Sequence, residues 1–319
     1  MTLKIREWRW ARARAWRVLA LAGGVFVALS ANNHAAHAQL FNQFPVPTAN
    51  SVPQGITMGP DGALWFTETL GNKIGRITTA GVITEYPVPT ASSSPFGITA
   101  GPDGALWFTE VRASQIGRIT TAGVVTNEYP TPTSGSGPQG ITVGPDGALW
   151  FAENNASQIG RITTTGSATE FSMGISPNSG PGAIALGSDN NLWFTEQFAS
   201  NIAVITTAGA VTEYPIPAQV NPAQPLGITA GPDGALWFTD FNNSLIGRIT
   251  TAGVITEFPL PGCGCFQPVA ITSGPKGSLW FTAQDLTSGG GGIGRITPQG
   301  IYTEYLVPTN PSSPNMIAA

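Results

Sequence analysis

Histidine is almost missing from this sequence, and both copies, His34 and His37, fall within the first 38 of 319 residues. Cysteine is as scarce: Cys263 and Cys265, one residue apart, are the only two. Charged residues make up just 10% of the chain, and no apolar run approaches the ~20 residues that a helix needs to cross a bilayer. Each shortage removes a class of chemistry. Two thiolates without an imidazole leave a zinc shell half empty, so no metal site is expected. A disulfide across so small a ring is strained, which leaves Cys263 and Cys265 as either a loop disulfide or free thiols.

The N-terminus reads as an address. Lys4, Arg6, Arg9, Arg12, Arg14 and Arg17 precede the apolar run Val18 to Leu29, and Ala36-His37-Ala38 supplies small residues at the −3 and −1 positions. Residues 1–38 are therefore expected to be a signal peptide cut after Ala38; the alternative, an uncleaved anchor, has too short an apolar run. The remaining 39–319 would form one domain, secreted or periplasmic and not inserted in a membrane. That segment holds 8 basic and 17 acidic residues and no histidine. Without a basic patch to neutralise phosphates, nucleic acid is an unsuitable partner.

What is abundant points to strands and turns. Forty Gly and 27 Pro break up long helices, while Thr, Ile, Val, Trp and Phe recur in short bursts. Leu-Trp-Phe occurs six times, beginning at Leu64, Leu106, Leu149, Leu192, Leu236 and Leu279, with a period of 42 to 44 residues. Such a period belongs to propeller blades. The expected fold is an all-β propeller of four-stranded antiparallel blades. Six complete repeats start near 53, 95, 138, 181, 225 and 268, and a partial seventh starts at 314. Phe41 to Pro47 looks like a fourth strand lacking the first three, and Ser313 to Ala319 like a first strand lacking the rest.

Within the first repeat, strands are expected at Gly55 to Met58, Ala63 to Glu68, Lys73 to Thr78 and Val82 to Pro87. Gly59-Pro60-Asp61-Gly62 suits a type I turn, because Pro fixes φ at the second position and Gly accepts the positive φ that follows. Each Trp is expected to wedge between blades. Glu68, Glu110, Glu153 and Glu196, with Asp240, recur at the end of the second strand, and Arg76, Arg118, Arg161, Arg248 and Arg295 recur in the third. They are expected to form cross-strand ion pairs. The fourth and sixth repeats depart from the pattern, with Ile202-Ala203-Val204-Ile205 in one and Lys276 and Gln284-Asp285 in the other.

Pro-x-Gly-Ile-Thr, Gly-Pro-Asp-Gly-x-Leu-Trp-Phe-Thr-Glu, Ile-Gly-Arg-Ile-Thr and Thr-Glu-Tyr-Pro-x-Pro-Thr, as they stand at Pro53 to Thr90, resemble the virginiamycin B lyase (streptogramin lyase) family. The likeness runs from about Phe44 to the C-terminus. It implies a seven-bladed propeller that opens the ester of cyclic depsipeptide antibiotics by elimination, using Mg²⁺ and a histidine base. In the family a His follows the inner-strand Pro of the last two repeats. The matching positions here are Val269 and Asn315, a family glutamate falls on Ser313, and a further one would lie beyond Ala319.

None of these catalytic side chains is present, so no catalytic residue, metal site or cofactor is assigned. Neither Val nor an amide can accept a proton near neutral pH. The expected function is that of a ligand-binding propeller of this family. The ligand, a small molecule, peptide or glycan, would meet the residues after each motif Pro: Gln54, Phe96, Gln139, Gly182, Leu226, Val269 and Asn315. The alternatives are an active lyase that retains Mg²⁺ and a metal-dependent lactonase-type propeller, which needs several Asp, Glu or Asn side chains on one ion. A partner chain at the incomplete blade is a further expectation.

Overall fold

The structure is a computed structural model. It describes residues 41–217, 221–260, 266–285, 290–308 and 313–319, together with the backbone of two strands within 17–29. Cys263 and Cys265, part of the loop entering the fifth repeat, and Gly289 of the Gly-rich tract lie outside the described residues.

Six four-stranded antiparallel blades follow one another along the chain. The first comprises Pro53–Met58, Leu64–Glu68, Lys73–Ile77 and Ile83–Pro87, within two residues of each limit expected from sequence. The turns behave as their residues require. Gly62 donates its N–H to Gly59 O at 3.0 Å with φ of 73°, a region that costs glycine nothing. All residues of Leu64–Glu68 are buried, as are those of the matching strands in the next four blades, because both faces meet neighbouring blades.

Trp65 and Ile74 of the first blade pack against Ile98, Leu106, Phe108 and Ile119 of the second, and the arrangement repeats around the ring. Each Trp is thus the wedge its sequence position suggests. It also stacks on the outer-strand aromatic of its own blade, Trp65 on Tyr86 at 5.6 Å and Trp107 on Tyr129 at 5.8 Å. The glycine of Ile-Gly-Arg-Ile exists for this packing: a Cβ at Gly75 would run into the Phe66 ring.

The expected Glu–Arg pairs do not form. Arg76 lies opposite Trp65 and Glu68 lies opposite Lys73, which sets Arg and Glu on opposite faces of the sheet. Arg76 Nε instead bonds Asp61 Oδ2 of the turn at 2.7 Å, while Asp61 Oδ1 accepts the Trp65 indole N–H at 3.0 Å. Arg118–Asp103, Arg161–Asp146 and Arg248–Asp233 repeat the pair. Where Val204 replaces Arg, Asp189 keeps its Trp193 and takes Asn191 as well; where Lys276 replaces Asp, Arg295 bonds Ser278 Oγ.

The chain ends meet in a further sheet. Ser313–Ile317 and Phe41–Pro45 take its inner and outer places, as their sequences suggest, with Arg17–Ala22 and Val25–Leu29 between them. The middle strands come from the segment that sequence reads as the apolar run of a leader. No helix among the described residues is long and apolar enough to cross a membrane.

Candidate functional site

The innermost strands contact one another in chain order from Pro53–Met58 to Ser313–Ile317, and the last returns to the first. In each blade the register shifts after the motif Pro, between Pro53 and Ile56 in the first and between Pro268 and Ile271 in the sixth. This bulge re-aims the residue that follows the Pro, as bulges beside binding sites commonly do. Gln54, Phe96, Gln139, Leu226, Val269 and Asn315 all sit there and are half-buried, forming one rim at the end of the ring.

A relay of threonines fixes the rim. Thr67 Oγ1 accepts from Gly55 N at 2.8 Å within its own blade and donates to Phe96 O of the next at 2.7 Å. Thr109 repeats the link to Gln139 O, Thr195 to Leu226 O, Thr239 to Val269 O and Thr282 to Asn315 O. The inner strands approach so closely that a Cβ at Gly55 would collide with Phe96 O, and one at Gly97 with Gln139 O. The third blade has Ala152 where the others have Thr, so the link to Gly182 is missing.

The seven sequence-selected positions are not equivalent. Asn315 Nδ2 donates to Gln54 Oε1 at 2.6 Å, joining the two ends of the rim. Phe96, Gln139, Leu226 and Val269 are tied by their carbonyls, which leaves their side chains out of the relay. Gly182 offers no side chain; Gln197, from the loop after the second strand of its blade, takes the space a Cβ there would occupy. Gln197 was not singled out from the sequence, although its place directly after Glu196 marks it in retrospect. Thr69 and Asn154, at the same step of their repeats, bond the carbonyls of Pro95 and Pro181 and so border the rim as well.

None of the rim side chains is charged, but Glu68, Glu110, Glu153, Glu196 and Asp240 lie opposite the motif Pro beside each position, and Arg112 is exposed in the loop after Glu110. No group of three or more His, Cys, Asp or Glu side chains that could hold a metal occurs among the described residues. Mg²⁺ calls for oxygen donors in near-octahedral order. Phe96, Leu226 and Val269 have no side-chain oxygen, Gln54 Oε1 already accepts from Asn315, and the seven positions include no carboxylate, so the described rim residues do not fit that ion. A cleft of about 380 Å³ lies at the opposite end of the blades, beside Asp233 and Lys276, but Asp233 is committed to Arg248 and Trp237.

The buried acids form a second ring. Glu68, Glu110, Glu153 and Glu196 are fully buried, and none has a cross-strand arginine. Burial foremost, and then a glutamate on the fourth strand, pushes Glu68 up to about 7 and Glu110 and Glu153 up to about 8.

The virginiamycin B lyase family profile matches residues 34–127 and 125–319. Selenomethionine-substituted virginiamycin B lyase from Staphylococcus aureus is 42% identical, over 84% of this chain and 88% of its own, with a TM-score of 0.78. A catalytically inactive histidine-to-alanine variant of the Staphylococcus aureus enzyme, crystallised with quinupristin, is 42% identical over 83% of this chain and 88% of its own, at 0.77. A streptogramin B lyase structure is 36% identical over 96% and 92%, at 0.76. Matched by the profile from residue 34 to its last residue and 42% identical to one of these enzymes, the chain belongs to the virginiamycin B lyase family.

Proposed function

We propose that this chain is a ligand-binding propeller of its family, taking a peptide or glycan at the rim, without the family's elimination chemistry. The observation that carries the reading is the pair Val269 and Asn315. Elimination requires a group that removes a proton next to a carbonyl, and neither side chain has a pKa within reach of neutral pH. The loss of activity in the histidine-to-alanine Staphylococcus aureus variant is consistent with it. Amides and apolar groups in alternation, Gln54 and Gln139 with Phe96, Leu226 and Val269, suit a ligand that is itself rich in amides or hydroxyls. The lactonase alternative lacks support from the donors, since Asn315 is the single Asp, Glu or Asn among the seven positions.

The test is incubation of the purified protein with a cyclic depsipeptide and Mg²⁺. Chromatography with tandem mass spectrometry would detect the linear isomer that elimination produces. Binding without conversion, weakened in Phe96→Ala, is expected; accumulation of the linear product would overturn the reading.

Export through residues 1–38, and a seven-bladed whole, belong to the same proposal. Removal of the leader would take Arg17–Ala22 and Val25–Leu29 with it and leave two sheet edges, to which a partner's strands could add by backbone pairing. N-terminal sequencing of the exported protein and light scattering of residues 39–319 test these points. A start at residue 39 and a species heavier than the monomer are expected.

A further inference from the structure

Four outer-strand glutamates hold the connections between blades. Glu128 accepts both the N–H and the hydroxyl of Thr90 at 3.0 and 3.1 Å, and Glu170 accepts those of Thr133 at 2.8 and 2.6 Å. Glu85 and Glu213 do the same for Thr48 and Ser176. These connections lead directly to the rim, from Thr90 to Phe96 and from Thr133 to Gln139.

On the same sheet face stands the buried acid of each of the first five blades; the sixth has Ala283 there. The blades differ in what accompanies it. In the first, Lys73 lies opposite Glu68 and bonds Glu85 Oε2 at 2.7 Å. In the fourth, Asn201 Nδ2 donates to Glu196 at 2.9 Å. In the fifth, Asp240 accepts from Gln224 N and from Asn243. Blades 2 and 3 have no such cation or amide donor: both carboxylate oxygens of Glu110 and of Glu153 are buried without a hydrogen-bond partner, as are those of Glu68, but the residue facing each is Gln115 or Gln158, whose amide oxygen is unpartnered as well, and not a lysine.

The ionisable and polar groups around each are few. Glu110 meets Glu128, Gln115 and, from the connection, Ser93, which is itself bound to Asn72 of the first blade; Arg112 is exposed in its loop. Glu153 meets Glu170, Gln158 and Ser136, whose hydroxyl is bound to Thr131. No cation faces either pair. A fully buried carboxylate beside a second one, with neither a hydrogen-bond partner nor a counter-charge, ionises only at a cost.

We propose that the buried carboxyls of Glu110 and Glu153 each hold a proton, so that blades 2 and 3 carry a proton-dependent latch on the connections leading to the rim. When the latch proton is lost, two negative charges face one another beside Thr90 or Thr133, and the connection there is loosened. The glutamine that faces each pair, in place of Lys73, leaves these two blades without the cation that neutralises the first. The inference rests on the fold and not on the reading of the rim.

The experiment uses the full chain, with Glu110→Gln, Glu153→Gln and the double variant. Glutamine reproduces the shape of the protonated acid without its titration. Wild-type protein should lose at least about 5 °C of melting temperature between pH 6 and pH 9. The double variant should lose less than half of that and melt above wild type at pH 9. Infrared difference spectra of the wild type between these pH values should show a protonated-carboxyl band that each single variant diminishes. This readout does not depend on stability. Absence of that band from the folded wild type would overturn the proposal. So would a rise in wild-type melting temperature with CaCl₂ that EDTA reverses and the variants lack, since a cation would then stand where the proton is placed.

Discussion

Asn315 Nδ2 and Gln54 Oε1 lie 2.6 Å apart although 261 positions separate them in the chain, and their hydrogen bond joins the last inner strand to the first. Side-chain closure at this point is independent of the backbone pairing that builds each blade.

Asn315→Ala should therefore weaken the ring without unfolding a blade. The loss of one partly buried hydrogen bond costs about 1 kcal/mol. Denaturant titration should show that shift, together with faster hydrogen exchange confined to Ser313–Ile317 and Pro53–Met58.

Asp103 carries two partners of different value. Trp107 is fully buried, so removing the acceptor of its indole N–H strands a donor at a cost of about 1–3 kcal/mol. The Arg118 pair is partly exposed and contributes less than about 1 kcal/mol. Asp103→Ala is expected to exceed Arg118→Ala at least twofold in chemical denaturation, with Asp103→Asn in between.

Two glycines separate steric need from conformational need. At Gly97 a Cβ collides with the Gln139 carbonyl, and Gly97→Ala should cost about 3 kcal/mol as neighbouring inner strands are forced apart. At Gly62, where φ is 73° and the space beyond is open, Gly62→Ala should cost only the ~1 kcal/mol of a left-handed residue. Melting curves of both variants against wild type check the order.

Acid should destabilise through the turns. Partial burial would raise the four turn aspartates, Asp61, Asp103, Asp146 and Asp233. The hydrogen bonds from their Trp and Arg partners outweigh it and hold them below 3.8. A lowered folded-state pKa gives stability that is present above the unfolded value and lost as the pH falls through the folded one. Glu68, Glu110 and Glu153 are raised from 4.5, so their contribution is complete below 4.5 and declines as the pH rises through about 7 to 8. The melting temperature should peak at about pH 4 to 5 and decline towards about pH 8, and a maximum above pH 8 would contradict these assignments.

The blades were legible because their signals are local: a fixed period, a Pro-Asp-Gly turn and an uninterrupted apolar strand. The Glu–Arg pairing failed on parity. Residues 65 and 68 differ by an odd number and so face opposite sides of a strand, and Arg76 shares the face of Trp65, not of Glu68. The turn that folds Asp61 back under the indole has no counterpart in strand alternation. At the rim, the positions after each Pro follow from the motif. Gln197 reaching over Gly182 depends on a loop crossing to the start of its own blade's inner strand, which spacing alone does not reveal.

Among the joints of the six blades, Ala152 alone interrupts the threonine relay, while Asn315 and Gln54 fasten the closing one. A hoop clasped at every segment resists spreading equally on all sides, whereas one with an unfastened segment gives at that place first. Widening of the mouth on a bulky guest should accordingly be lopsided, centred on Gly182 and its Gln197 cover, with the opposite side acting as the fixed jaw.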